Sequence, residues 1–251
     1  MAVPRLYVPS MSAGIERVAL PKDEAHHVTR VLRLPTGAAV RIFDGKGREW
    51  SGRLDTGPKR GESGVIVEDE ARPVPEPAVR VTLAIGVLKG DQMDAVVRDA
   101  TALGVVAIAP METAHVTVPP RAWQSGAAVE RWQRVAVAAA KQCGRAVVPA
   151  VRPVSTLADV LSAGAGTMWL CAEPEKSRSG FSSSEKESRS GFTDAGASAL
   201  VLVGPEGGWA EQEVQLALRA GAGLFNLGPR TLRAELAPIV ALSSLWTKWG
   251  W

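Results

Sequence analysis

The first 72 residues alternate apolar and polar positions in short runs, AAVRIFDG at 38–45 and SGVIVEDE at 63–70, broken by Gly, Pro and Asp. Successive side chains on a strand face opposite ways, so a period of two buries one face and wets the other. This stretch predicts a small all-β module with hairpins. The segment ARPVPEPAV at 71–79 contains three prolines and marks a boundary. Beyond it the period lengthens. VRVTLAIGVL (79–88), VVAIAPME (105–112), TMWLCAE (167–173), ALVLVG (199–204) and LFNLG (224–228) predict strands. Between them, 93–104, 129–143, 156–163 and 210–221 carry apolar residues at helical spacing, and a long helix is expected from about 231. Strands alternating with helices point to a mainly parallel sheet covered on both faces. The predicted organisation is a β module over 1–73 and an α/β domain over 77–251.

One stretch breaks the order. Residues 174–198 are rich in Ser, Gly, Lys and Glu and nearly repeat themselves, as EKSRSGF at 175–181 and EKESRSGF at 185–192. Such composition buries too little apolar surface to offset the entropy of ordering, so a mobile insertion between two core strands is expected.

Composition narrows the class of protein. The 251 residues suit one large domain or two modest ones, and 46% hydrophobic with 22% charged residues excludes disordered, collagen-like and fibrous chains. Cys143 and Cys171 cannot build a disulfide framework or a zinc ribbon, which favours a reduced, cytoplasmic setting. The start, MAVPRLYVPS, lacks the apolar centre of a signal peptide, and no run reaches the roughly 18 apolar residues of a membrane span. The formal net charge is only +3, yet residues 26–60 carry eight cations against three anions. That excess could meet a phosphate backbone, although on charge alone a solvated strand face is the readier reading. His26 and His27 beside Glu24 do not make a metal site, because neighbouring histidines face different ways and no third ligand is near.

The segment LVLVGPEGGWAEQEV (200–214) carries the strongest chemical signal. An apolar strand runs into Gly204-Pro205-Glu206-Gly207-Gly208, and a helix follows with Glu211 and Glu213 in its first turn, where carboxylates complement the dipole. Three glycines remove Cβ atoms, so a ligand can lie against main-chain groups at the C-terminal end of a strand, the usual crevice of open α/β sheets. The spacing is neither the dinucleotide fingerprint nor the phosphate loop. LGPRTLRAELA (227–237) repeats the arrangement and adds Arg230, Arg233 and Glu235. Two Gly-Pro strand ends in one sheet suggest two sides of one pocket, with Leu170 to Pro174 as a third wall.

Those two loops, with HHVTRVLRLPTG (26–37), LKGDQMDAVVRDATALGV (88–105) and KQCGRAVVPAV (141–151), closely resemble the bacterial ribosomal RNA uridine-N3 methyltransferases, the RsmE group of the SPOUT superfamily. The resemblance spans nearly the whole chain, in order. The chain departs from it at Ala234-Glu235-Leu236-Ala237, where the family usually has Thr-Glu-Thr-Ala, and in the serine-rich insertion. The resemblance implies a PUA-like RNA-binding β-barrel, a trefoil-knotted SPOUT α/β domain, a homodimer, S-adenosylmethionine as cofactor and 16S ribosomal RNA of the small subunit as partner. It carries cofactor binding onto Leu170, Val203, Gly204, Pro205, Glu206, Gly207, Gly208, Leu227, Gly228, Arg230, Leu232 and Arg233. Arg230 or Arg233 is the expected cation for charge developing on uridine, with Glu206 or Glu235 as orienter or proton acceptor. Arg5, Arg30, Arg33, Lys89, Gln142 and Arg145 are the expected RNA contacts. The tryptophans are read as core or interface, and Lys248 to Trp251 as an apolar tip suited to a partner subunit. A knotted ribose 2′-oxygen methyltransferase and a ribosome-associated RNA-binding protein without turnover are the alternatives. The second is suggested by Ala234 and Leu236.

Overall fold

The period-two runs become strands in the computed structural model, which describes residues 3–56, 63–164, 166–172 and 197–249. Two units separate: Met1–Glu76 with Val137–Val148, and Pro77–Ala136 with Pro149–Trp251.

The first unit holds β1 (Arg5–Tyr7), β2 (Arg17–Ala19), β3 (Ala39–Phe43), β4 (Glu49–Thr56) and β5 (Ser63–Ala71), hydrogen-bonded in the order β1-β3-β4-β5-β2. The β1–β3 pair is parallel and the others are antiparallel. Leu6, Val40, Ile42, Trp50, Leu54 and Val65 meet in its core. The ladder shifts register between Trp50 and Gly52, and a Cβ on Gly52 would stand 2.5 Å from Ile66 O, so only glycine admits the close approach of β5. An element that the alternation did not predict interrupts the sheet. Helix α1 (Lys22–His26) runs into one wide helical turn, His27–Val31, capped by Leu32, and Arg33 just beyond is the one non-glycine with positive φ (50°) among the described residues.

Residues 137–148 join this unit through polar contacts that span the sequence. The Arg5 guanidinium makes a two-pronged pair with Glu49, donates to Ala140 O at 2.8 Å and Arg145 O at 3.1 Å, and lies 4.7 Å from the Phe43 ring. Lys141 Nζ donates to both oxygens of buried Glu24 at 2.8 Å. A buried carboxylate demands such pairing, because an unmatched charge in the interior is costly.

The second unit is a parallel sheet of β6 (Arg80–Gly86), β7 (Ala107–Glu112), β8 (Ala150–Val151), β9 (Ser155–Thr156), β10 (Thr167–Ala172), β11 (Ser198–Val203) and β12 (Gly223–Asn226). The order is β12-β10-β11-β6-β7-β8, with β9 paired to β7. Helices α2 (Gln92–Ala102), α3 (Ala127–Cys143), α4 (Leu157–Ala163), α5 (Glu211–Arg219) and α6 (Ala237–Trp249) intervene, and α3 from Val137 onward belongs to the first unit. Ala84, Leu170, Leu200 and Leu202 pack on one face with α4 and α5 residues. On β6, Leu83 and Ile85 are equally buried, so both faces are covered, as continuous apolar runs require.

The short β8 and β9 were not expected, being too brief to show a period. The last helix begins at Ala237 rather than near 231, because 227–236 stay in a loop whose final turn closes by Ala237 N–H on Arg233 O. Pro238 then falls in the first helical turn, where no N–H is needed. The expected insertion at 174–198 lies outside the described residues except for Ala197 and Ser198, the latter opening β11. Gly250 and Trp251 of the expected apolar tip also lie outside them.

Candidate active site

The order β12-β10-β11 sets three strand ends side by side. Register pairs Cys171 with Phe225 on one side and Val203 on the other, so the chain leaves all three strands at one level. The end of β10 and the loops after β11 and β12 line a cavity of about 430 Å³, within the range of small-molecule sites.

The loop after β11 is held on every side. A Cβ on Gly86, at the end of β6, would come within 2.7 Å of Pro205 N, so strand and loop touch main chain to main chain. Glu206 Oε1 accepts from Lys89 N–H at 2.9 Å. His115 Nδ1–H donates to Gly207 O at 2.9 Å. The indole N–H of Trp209, a residue 1% exposed, donates to Cys171 O at 2.9 Å and ties this loop to the end of β10. Gly208 sits at φ +68°, where a side chain would be strained. Glu213 then accepts from Ala210 N–H at 2.9 Å, a donor that the helix start leaves open, and from Ala114 N–H at 2.8 Å, just past β7.

The loop after β12 is different. Asn226 Oδ1 accepts from Gly228 N–H at 2.7 Å, and Gly228 takes φ +112°. Arg230 and Arg233 are exposed, and Arg233 stands 3.9 Å from Glu235 Oε1. At that separation, with the Arg233 side chain 85% exposed, the pair holds neither partner firmly.

Among the expected cofactor residues, Val203, Gly204, Pro205, Glu206, Gly208, Leu227, Gly228, Arg230, Leu232 and Arg233 all line this cavity. All four expected catalytic residues, Glu206, Arg230, Arg233 and Glu235, line it as well. Two residues do not. Leu170 lies wholly buried in the core beneath, and Gly207 turns toward His115, where a Cβ would stand 2.7 Å from His115 Cβ. Residues beyond the expected set also face the cavity: Gln92, Cys171, Ala172, Trp209, Thr231, Ala234 and Ala237. Cys171 and Ala172 continue the strand end that Leu170 marked, and Trp209 follows the glycines directly, so both were within reach of the sequence. Gln92 belongs to α2 and is brought there only by tertiary packing. Burial pushes the Cys171 thiol up to about 12, so it stays protonated at neutral pH and is no nucleophile.

The expected RNA contacts divide. Arg30, Arg33, Lys89 and Gln142 are exposed. Arg5 and Arg145 are corrections: Arg5 spends its donors on Glu49 and main-chain carbonyls, and Arg145, 5% exposed, forks onto Glu76. Both bind the first unit together rather than face a ligand. Glu24, considered beside His26 and His27, is taken by Lys141.

Comparison with known proteins agrees with this geometry. An RNA methyltransferase domain model matches residues 75–246, and an RNA methyltransferase PUA domain model matches 20–63. The ribosomal RNA small subunit methyltransferase E of Synechocystis is 32% identical over 91% of this chain and 72% of its own length, and that of Bacillus subtilis is 31% identical over 89% and 87%. The crystal structure of a ribosomal RNA small subunit methyltransferase E from Neisseria gonorrhoeae, bound to S-adenosyl methionine, superposes with a TM-score of 0.85 at 29% identity, covering 99% of both chains. A PUA-like sheet followed by a parallel α/β sheet is therefore the shared architecture, and the chain belongs to the ribosomal RNA small subunit methyltransferase E family of RNA methyltransferases.

Proposed function

We propose that this chain transfers a methyl group from S-adenosylmethionine to N3 of a uridine in 16S ribosomal RNA. The observation that carries the reading is the single cavity on which both glycine loops converge, with two arginines and two glutamates in its lining. The residues fit the cofactor: Gly204 and Gly208 offer main chain without Cβ atoms, Trp209 gives an apolar wall, and Glu206 and Glu235 supply acceptors. When bound, the cofactor supplies a methyl on a positively charged sulfur, open to in-line displacement.

The protein's share is positioning and charge. Uridine N3 must lose its proton before its lone pair can attack, and the negative charge then spreads onto the flanking carbonyls. Arg230 or Arg233 meets that charge, and Glu206 or Glu235 orients the base or takes the proton. Pinning one loop at Pro205, Glu206, Gly207 and Trp209 keeps the donor in place while the second loop presents its arginines, a use of binding geometry to replace collision.

In the same reading, residues 1–73 form the RNA-binding domain and 77–251 the catalytic one, supported by the family-model matches at 20–63 and 75–246. Arg30, Arg33, Lys89 and Gln142 are the RNA contacts. The homodimer, the trefoil threading and the cytoplasmic setting rest on the family resemblance; no helix among the described residues is long and apolar enough to cross a membrane.

The test is a methyl-transfer assay with small-subunit particles from cells lacking this protein, followed by mass mapping of the RNA. One added methyl on a uridine base supports the reading. A methyl on a ribose 2′-oxygen, or binding without transfer, overturns it in favour of the two alternatives.

A further inference from the structure

The cavity segregates its polar groups by strand. Arg230 and Arg233 follow β12, at one edge of the sheet. Gln92 follows β6, on the far side of β11, and its turn also holds Glu206: Lys89 N–H donates to Glu206 Oε1 at 2.9 Å, and Gln92 N–H donates back to Lys89 O at 3.2 Å. Gln92 Oε1 is buried and has no donor among the described residues. An acceptor orphaned in a buried place is costly, and the same amide lines the cavity, so a half-turn takes the oxygen out of that place and presents it to the cavity.

A neutral acceptor beside a carboxylate, remote in strand order from the arginines, is a cation's environment. S-adenosylmethionine carries one charged donor group, the α-ammonium of its amino-acid end, which needs more than one acceptor. Its adenine and ribose donors are neutral and can be met by single main-chain carbonyls. We propose that Gln92, with Glu206, receives the α-ammonium of the cofactor. The proposal rests on the cofactor assignment above and deepens it: Glu206 becomes a binding residue, which leaves Glu235 as the proton acceptor or orienter.

Calorimetry on Gln92→Leu with three probes tests this. S-adenosylmethionine and S-adenosylhomocysteine carry the ammonium, while 5′-methylthioadenosine lacks the amino-acid end. Expected is a loss of about ten- to a hundred-fold in affinity for the first two, the range for a hydrogen bond to a charged group, with 5′-methylthioadenosine and the melting temperature unchanged. Gln92→Glu retains the acceptor and restores binding. Should Gln92→Leu fail to fold, Gln92→Asn, which withdraws the acceptor by one methylene, must show the same selectivity more weakly. Equal loss for all three probes, or for none, overturns the proposal while the cofactor assignment stands. If the native protein binds neither S-adenosylmethionine nor S-adenosylhomocysteine, the assignment falls and the proposal with it.

Discussion

The two glycine-proline loops look alike in sequence and differ in construction. The loop after β11 is locked by a strand, a backbone N–H, a histidine and a buried tryptophan, and only Glu206 of its side chains offers charge to the cavity. The loop after β12 is tied at its entry by Asn226, yet it carries Arg230, Arg233 and Glu235. One loop is a fixed wall made of main chain and the other a mount for exposed charge. Substitutions in the first should therefore be felt as lost stability and lost cofactor affinity together. Those in the second should change turnover and leave the fold alone.

The largest effect is expected at the lock itself. Trp209→Ala opens a cavity in the core and removes the donor to Cys171 O, and should cost about 3–5 kcal/mol of stability by denaturant unfolding, with cofactor binding lost. Arg233→Ala is the counterpart on the second loop. Its side chain is almost wholly in solvent, so unfolding should move by no more than about 0.5 kcal/mol while methyl transfer falls about 100- to 1,000-fold; an equal fall in stability would erase the contrast between the loops. His115→Ala removes one pin on Gly207 and should cost about 1 kcal/mol, with a modest rise in the dissociation constant for S-adenosylmethionine.

The smallest effect concerns pH. The Cys171 thiol is pushed up to about 12 by burial from an ordinary value of 9.0, so the unfolded chain ionises it first. Its contribution is fully present below pH 9 and is lost as pH rises toward 12, which Cys171→Ala should flatten in alkaline unfolding curves. At pH 8, iodoacetamide should accordingly label the half-buried Cys143 before Cys171, read by mass spectrometry.

Much of this was open to the sequence, and the reason is local. Strands such as VRVTLAIGVL are buried on both faces, so their apolar runs are unbroken, and the glycine loops announce themselves by composition. The misses share a different cause. The start of α6 was misplaced because Arg230 to Leu236 contain good helix formers, while the chain there is held in a loop. Arg5 and Arg145 looked like ligand contacts because a lone arginine gives no sign of its partner, and Glu49 and Glu76 lie 44 and 69 residues away. Gln92 carried no signal, since its place in the cavity depends on β6 lying next to β11, more than a hundred residues later.

The split make-up of the first unit bears on how the protein is born. Its opening strand and helix leave Arg5 and Glu24 short of partners until Ala140 and Lys141 have been synthesised, 135 and 117 residues downstream. A nascent chain emerging from the ribosome cannot finish this unit when its sheet is complete; it must wait through α2, β7 and α3. A gene fragment cut after Glu76 would encode five strands in which buried Glu24 has lost its cation and Arg5 its main-chain acceptors, so a truncated product would be a poor substitute for the domain it was meant to isolate.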